Sequence, residues 1–426
     1  MKKRFLRVML CAVMAITMLA GCSGKGKETE IPKDKVTNEE KNTETAGKKP
    51  TIKVYGKVIE YTSGPMMTDA LTEKLKDKYN IEAIQVDWAN QDTVIRTGIA
   101  SGEPCDIYNY EPGRMFNFAD MAVDLKPYLD ADPEWKAQFN ESALEAGTID
   151  GKILNVPWES NFSTILANKT KLDELGITIP ESWTMDEFLE VCKSIKDSGA
   201  FPFANATDLG RAGWLYRNAM LSVVVGEGRY EDYIKGQVPL NESESKIALE
   251  ATKILYDKGY MYPGEGAVTV KNDEIKAAFY QGDLLIMPEI AAGAKVTAAA
   301  ADFEVVTVPW PAAGNTPAIH GVYNGFFIPK NCADIDAAVE VLKVLTSPEI
   351  QKIHADEGYI PANVKVEVTE PFVKTVVAQS KDLYSPEDPA SVEMTDYRAN
   401  YLLPELILGG SVDEVADKLE SLRPQE

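Results

Sequence analysis

Histidine is nearly absent: the 426-residue chain contains two, His320 and His354, too few for a histidine-rich metal site and a poor supply for a Ser/His/Asp triad. Cysteine is scarce too, five in all, with no pair at metal-ligand spacing. Cys11 falls in an apolar leader and Cys22 just after it, leaving Cys105, Cys192 and Cys332. That odd number cannot pair completely, and their apolar neighbours make them read as buried free thiols. Positive charge is in deficit, with 44 Lys and Arg against 66 Asp and Glu and a net charge of −22. Such a field repels phosphate backbones, which excludes nucleic acid as a partner; anionic solutes are disfavoured save where a local basic pocket overrides it. Past the leader, long apolar runs are missing as well, so no membrane-spanning helix is expected there. No cofactor or metal is called for.

What is present begins with Lys2, Lys3, Arg4 and Arg7 ahead of an apolar run from Val8 to Ala20. The run is short for a bilayer span and reads as a signal peptide. Leu19-Ala20-Gly21-Cys22 follows and resembles the lipobox of bacterial lipoproteins, which would make Cys22 the lipid-bearing mature N-terminus; an ordinary cleavage nearby is the alternative. Segment 1–22 is thus leader and lipobox. Segment 23–50 has only Ile31 and Val36 as large apolar residues, too few to offset the entropy of ordering, and reads as a flexible tether. The remaining body exceeds what one core usually accommodates, so two lobes are expected.

Within the body, Ile52-Lys53-Val54-Tyr55 alternates as a strand, and Met67, Ala70, Leu71 and Leu75 share a helical face. A strand at 84–88, a helix holding Val94, Ile95 and Ile99 and ended by Gly102, and a strand at 106–108 complete a β-α-β-α-β run. This predicts a parallel sheet with ligand sites at the C-terminal strand ends. Helix starts are marked by capping boxes at Thr184…Glu187 and Ser411…Glu414 and by Ser347-Pro348. The helix from Ser245 carries Ile247, Ala248, Ala251, Ile254 and Leu255 on one face and should stop at Gly259.

Several segments in order resemble the extracellular solute-binding proteins of carbohydrate ABC importers, family 1, the maltodextrin-binding-protein-like group. They include Gly102-Glu103-Pro104-Cys105-Asp106-Ile107, Asp150-Gly151-Lys152 through Val156-Pro157, Asn168-Lys169, and Leu175-Gly176-Ile177 leading to Pro180-Glu181-Ser182-Trp183-Thr184. Phe279-Tyr280-Gln281-Gly282-Asp283, Ser347-Pro348-Glu349 and Gly358-Tyr359-Ile360-Pro361 continue the series. The usual Tyr-Asn-Lys reads Ala167-Asn168-Lys169 here. The resemblance implies an α/β, two-lobed periplasmic-binding-protein-like (type II) fold with a hinge and an interlobe cleft. Lobe 1 would comprise 51–156 and 309–345, lobe 2 would comprise 157–308 and 346–426, and crossings would lie near Pro157, Pro309 and Leu345. It further implies a monomer on the outer face of the cytoplasmic membrane that delivers a mono- or oligosaccharide to ABC importer permease subunits, and not an enzyme.

A pyranose presents C–H groups on its faces and hydroxyls round its edge, so its site needs flat aromatic rings beside planar polar groups. Tyr110, Glu111 and Arg114 follow the 106–108 strand, and aligned on Asp106-Ile107 the resemblance puts Tyr110 and Arg114 at a stacking and a contacting position; capping of the sheet is the alternative. Trp158, Glu159 and Asn161 follow the first crossing. Trp214 fits a second-lobe ligand loop or core packing equally well. Glu289, Tyr323, Asn324 and Arg398 complete the candidates. Trp88 could serve either role, whereas Trp183, one residue before a capping box, is read as a structural staple.

Two other functions remain open. An exported glycoside hydrolase needs a carboxylate pair, for which Glu111, Glu159 and Glu289 are candidates in a chain with acids to spare. A binding protein for a peptide or polyamine is the third reading.

Overall fold

The computed structural model describes residues 49–56, 61–86, 90–102, 106–384 and 392–423. The leader, Cys22, nearly all of the tether, Trp88 and Cys105 lie outside the described residues.

The expected β-α-β-α-β run forms. Strand β1 (Thr51–Gly56) pairs in parallel with β2 (Asn80–Gln85) and β3 (Ile107–Tyr110). Helix Gly64–Leu75 crosses from β1 to β2 with Met67, Leu71 and Leu75 inward, and helix Gln91–Ser101 ends on Gly102, whose φ of 71° suits a residue without Cβ. A small hairpin, β4 (Thr148–Ile149) with β5 (Lys152–Ile153), precedes β6 (Val156–Asn168).

β6 organises the rest. At 13 residues it spans about 40 Å, enough to serve two cores. Its first half pairs antiparallel with β9 (Ile319–Phe327) and with β10 (Ile360–Pro361); its second half pairs with β7 (Ile286–Ile290) and β8 (Val305–Val308). β11 (Leu383–Tyr384) adds to the start of β9. All of β6 except Asn161 is buried, so it shows no polar alternation, as expected of a strand covered on both faces. Gly325 of β9 lies so close to Asn155 and Val156 that any Cβ there would collide with them.

One apolar core gathers Ile52, Leu71, Ile107, Val156, Phe326, Leu342, Leu345 and Ile350. A second gathers Ile165, Phe188, Phe203, Phe279, Met287, Val308, Ile319 and Val373. A helical cluster built on Tyr216, Met220, Leu249, Leu406 and Leu419 adjoins helices Trp214–Gly226 and Ser243–Asp257. Trp310 and Ile319 lie in the second core, beyond the crossing expected at Pro309, and Ile350 lies in the first, beyond the crossing expected at Leu345. β9 is the reason for the first displacement: it begins among second-core residues and ends among first-core ones, so the passage falls within the strand. The helix Pro348–Asp356 displaces the other, keeping the chain in the first core until β10.

The local signals act as read. Thr184 and Ser411 both form reciprocal capping boxes, and Ser347 accepts from Ile350 N–H with proline at the first helical position. Trp183 is buried, packs on Phe188 at 5.1 Å and donates its indole N–H to the Pro309 carbonyl at 2.7 Å. It is a hydrophobic staple with a satisfied polar tip.

Candidate functional site

The pairing of β6 with β9 slips between Pro157 and Glu159. A β-bulge of this kind sets two successive side chains toward one side, and both Trp158 and Glu159 meet His354. Glu159 is buried, and its carboxylate accepts from the Tyr61 hydroxyl at 2.9 Å, from Asn324 Nδ2 and from His354 Nε2 at 2.9 Å. Because the carboxylate only accepts, His354 carries its proton on Nε2 and its Nδ1 accepts from the Ser63 hydroxyl at 3.0 Å. Burial pulls the imidazole below its ordinary 6.5, against an upward pull from Glu159.

Rings enclose this chain of hydrogen bonds. Trp158 lies 4.1 Å from the His354 ring, and Tyr359 stacks on His354 at 4.4 Å and on Tyr61 at 4.6 Å. Trp158, expected as a sugar platform, is 0% exposed here, with His354 and Phe326 against its ring. Glu159 likewise has no open side. The half-buried rings are Tyr61 and Tyr359. Ser63, His354 and Glu159 follow the order of a hydrolase triad, yet they are 0%, 0% and 1% exposed, which denies a substrate access to the hydroxyl.

Tyr110, expected as a stacking ring, is enclosed in the same way. It ends β3 fully buried, edge-on to Phe118 at 5.0 Å and to Phe327 at 6.2 Å, with its hydroxyl on Asp92 at 2.9 Å. Burial foremost pushes its pKa up to about 12. Arg114 leans over that ring at 5.2 Å and pairs with Asp92 at 3.0 Å, with Glu111 at 3.8 Å. Tyr110 therefore supports an Asp92–Arg114 pair that stays partly open to solvent.

On the second-core side, Glu289 is fully buried where β7 meets its following helix. It accepts from Arg211 at 2.8 Å, Lys276 at 2.6 Å, Thr297 at 2.9 Å and the Ile290 N–H at 2.8 Å. Burial pushes its carboxyl up, but Arg211 and Lys276 outweigh this and hold it below its ordinary 4.5. Arg211 also donates to Asn272 and stands 4.9 Å from the Trp214 ring. Trp214 opens helix Trp214–Gly226 behind Gly213, with 8% exposure. Arg398 is buried with its carbonyl beside Gly213. Asn161 is half-buried, Tyr323 is half-buried opposite Ser160, and Asn324 is committed to Glu159.

Most of the candidates thus fall into three groups: Trp158, Glu159 and Asn324 with Tyr61, Ser63, His354 and Tyr359; Tyr110, Glu111 and Arg114 with Asp92; Trp214 and Glu289 with Arg211 and Lys276. Sequence reasoning missed Tyr61, His354, Tyr359, Asp92, Arg211 and Lys276. The strand-end rule that selected 110–114 applies equally to 61–63 after β1, and a histidine in a chain holding two merits notice. Among the described residues no helix is long and apolar enough to cross a membrane, and no His/Cys/Asp/Glu cluster suits a metal ion.

The sequence pattern of the bacterial extracellular solute-binding protein family matches residues 64–352. The chain is 26% identical over 248 residues to a multiple sugar-binding protein of Streptococcus mutans, a match covering 56% of this chain and 52% of the relative, so it spans about half of that relative's length. An uncharacterised ABC transporter extracellular-binding protein of Pyrococcus horikoshii is 24% identical, with 81% and 76% covered. Apo RafE of Streptococcus pneumoniae superposes with a TM-score of 0.75 at 19% identity, covering 89% of this chain and 98% of its own. RafE in complex with raffinose gives 0.69 at 21% identity, covering 87% and 98%. The fold is the two-lobed α/β fold of those structures, and the chain belongs to the bacterial extracellular solute-binding protein family.

Proposed function

We propose that the protein captures a mono- or oligosaccharide between its lobes and delivers it to the permease of an ABC importer. The family match carries this reading. The architecture supports it: β6, β9 and β10 are the segments shared between the two cores, which suits lobes that close about a hinge. The half-exposed Tyr61–Tyr359 stack and the partly open Asp92–Arg114 pair supply aromatic faces and planar polar groups of the kind a sugar needs. Hydrolysis is disfavoured because Glu159 and Glu289 are sealed and committed to partners. We further propose a lipid anchor at Cys22, a tether over 23–50 and a monomeric protein on the outer face of the membrane.

Calorimetry against raffinose, chito-oligosaccharides, a tripeptide and spermidine tests the reading. At least one saccharide should bind and be recovered intact, with a smaller radius of gyration in scattering. Binding of peptide or spermidine alone, or shortening of the sugar, rejects it. Cys22→Ala should release the protein from the membrane fraction of a host that processes lipoproteins; unchanged retention rejects the anchor.

A further inference from the structure

Glu159 sits where three segments lie side by side. β6 carries it, β9 reaches it through Asn324, and β10 pairs with β6 at Pro361/Glu159. Burying a carboxylate there, with no lysine or arginine bonded to it among the described residues, costs more than burying a neutral group. Filling the space therefore does not explain it. What a carboxylate adds is acceptance from several donors at once: Tyr61, Asn324 and His354. Acceptance from Nε2 fixes the His354 tautomer, which leaves Nδ1 to accept from Ser63.

Tyr61 and Ser63 belong to one short segment between β1 and helix Gly64–Leu75. The network thus fastens that segment at two points, directly through Tyr61 and indirectly through His354. Every other hydrogen-bonded member is buried, and Tyr61 alone reaches solvent, stacked on the half-exposed Tyr359.

We propose that Glu159 is a positioning residue: it fixes segment 61–63 so that the Tyr61 ring, backed by Tyr359, forms an aromatic wall of the solute site, and it touches no solute itself. The positions of Glu159 in sequence and beside the crossing strands suggest a direct contact; its closed shell of partners argues for an indirect one. The affinity part of this inference rests on the sugar-binding reading above, whereas the positioning part does not.

The test compares Glu159→Gln, Glu159→Leu and Tyr61→Phe in the whole protein labelled with 3-fluorotyrosine. The Tyr61 resonance is assigned by its loss in Tyr61→Phe. Without ligand, it should keep its place in Glu159→Gln, whose amide oxygen still accepts from the hydroxyl, and should move toward the solvent-exposed position in Glu159→Leu. A resonance unmoved in Glu159→Leu overturns the proposal. With raffinose as probe, calorimetry should find Glu159→Gln within about threefold of wild type and Glu159→Leu weaker by about tenfold, the scale of one hydrogen bond to a charged group. That loss should vanish in the Tyr61→Phe background, because the two residues act as a unit. Equal loss in both backgrounds, or a Gln variant as weak as the Leu variant, means direct contact and overturns the proposal. Should Glu159→Leu not fold, Tyr61→Phe decides, with an expected loss of about tenfold and unchanged affinity as the overturning result. If wild type ignores raffinose and every other saccharide, the sugar reading fails and the fluorine result still judges the positioning.

Discussion

Replacing Trp158 by alanine separates a core role from a binding role. The indole is 0% exposed and packs against His354 at 4.1 Å and Phe326 at 5.8 Å. An aromatic of this size buries roughly 150–250 Å², which at about 25 cal/mol per Å² is worth ~4–6 kcal/mol. Measured Trp→Ala truncations in cores cost about 3–5 kcal/mol, and the two estimates agree. The variant should therefore lose roughly 4 kcal/mol by urea unfolding and melt on the order of 10 °C lower, given about 2–4 °C per kcal/mol for a large domain. Trp158→Phe should recover much of this, since a ring still covers His354. Paired urea and calorimetric melts of the ligand-free protein give the answer. A Trp158→Ala protein melting as wild type would refute the reasoning and return Trp158 to the list of solute contacts.

Three further expectations concern stability and reactivity. Trp183→Ala should destabilise the protein by about 3–5 kcal/mol and leave affinity for a bound saccharide unchanged, because its ring packs on Phe188 and its N–H on Pro309; a stable variant with no affinity would contradict this. Burial pushes the thiol of Cys192 up, and that of Cys332 up to about 12. Peptide mapping after alkylation at pH 8 should then find both unmodified in the native protein and modified in guanidinium. Acid should erode stability in two windows. His354, held neutral below its ordinary 6.5, and Glu289, held ionised below its ordinary 4.5, each stabilise fully above those values and lose the contribution as pH falls through their folded-state values. Urea unfolding from pH 8 to 3 should show Glu289→Gln approaching wild type only below about 4.5; a gap that stays constant to pH 3 would contradict the assignment.

Much of the fold was legible because its signals are local. Alternation marked β1, apolar spacing marked helix Gly64–Leu75, and hydroxyl–carboxylate pairs three residues apart marked the starts at Thr184 and Ser411. The passages between cores were less legible. Prolines at 157 and 309 and the end of an apolar helix at Leu345 are punctuation, whereas the passages run inside β6 and β9 and after Ile350, where pairing partners decide the path.

The site divides along the same line. An aromatic at the end of a parallel strand is equally consistent with a ring facing a ligand and with a ring closing the core, and the sequence of 108–114 holds nothing that separates them. For Tyr110 the deciding neighbours are Phe118, eight residues on, and Phe327, brought alongside by β9. For Trp158 and Glu159 the decision lies in one slipped pairing: the bulge sends both side chains toward His354, almost two hundred residues away in sequence, and a regular strand would have sent one of them to the opposite face. Residue type and strand-end position thus pick out a region of candidates. Which side chains in that region stand open to solvent, and which are closed in behind them, follows from contacts between distant segments, and the Tyr61–Glu159–His354 network is where that distinction is sharpest.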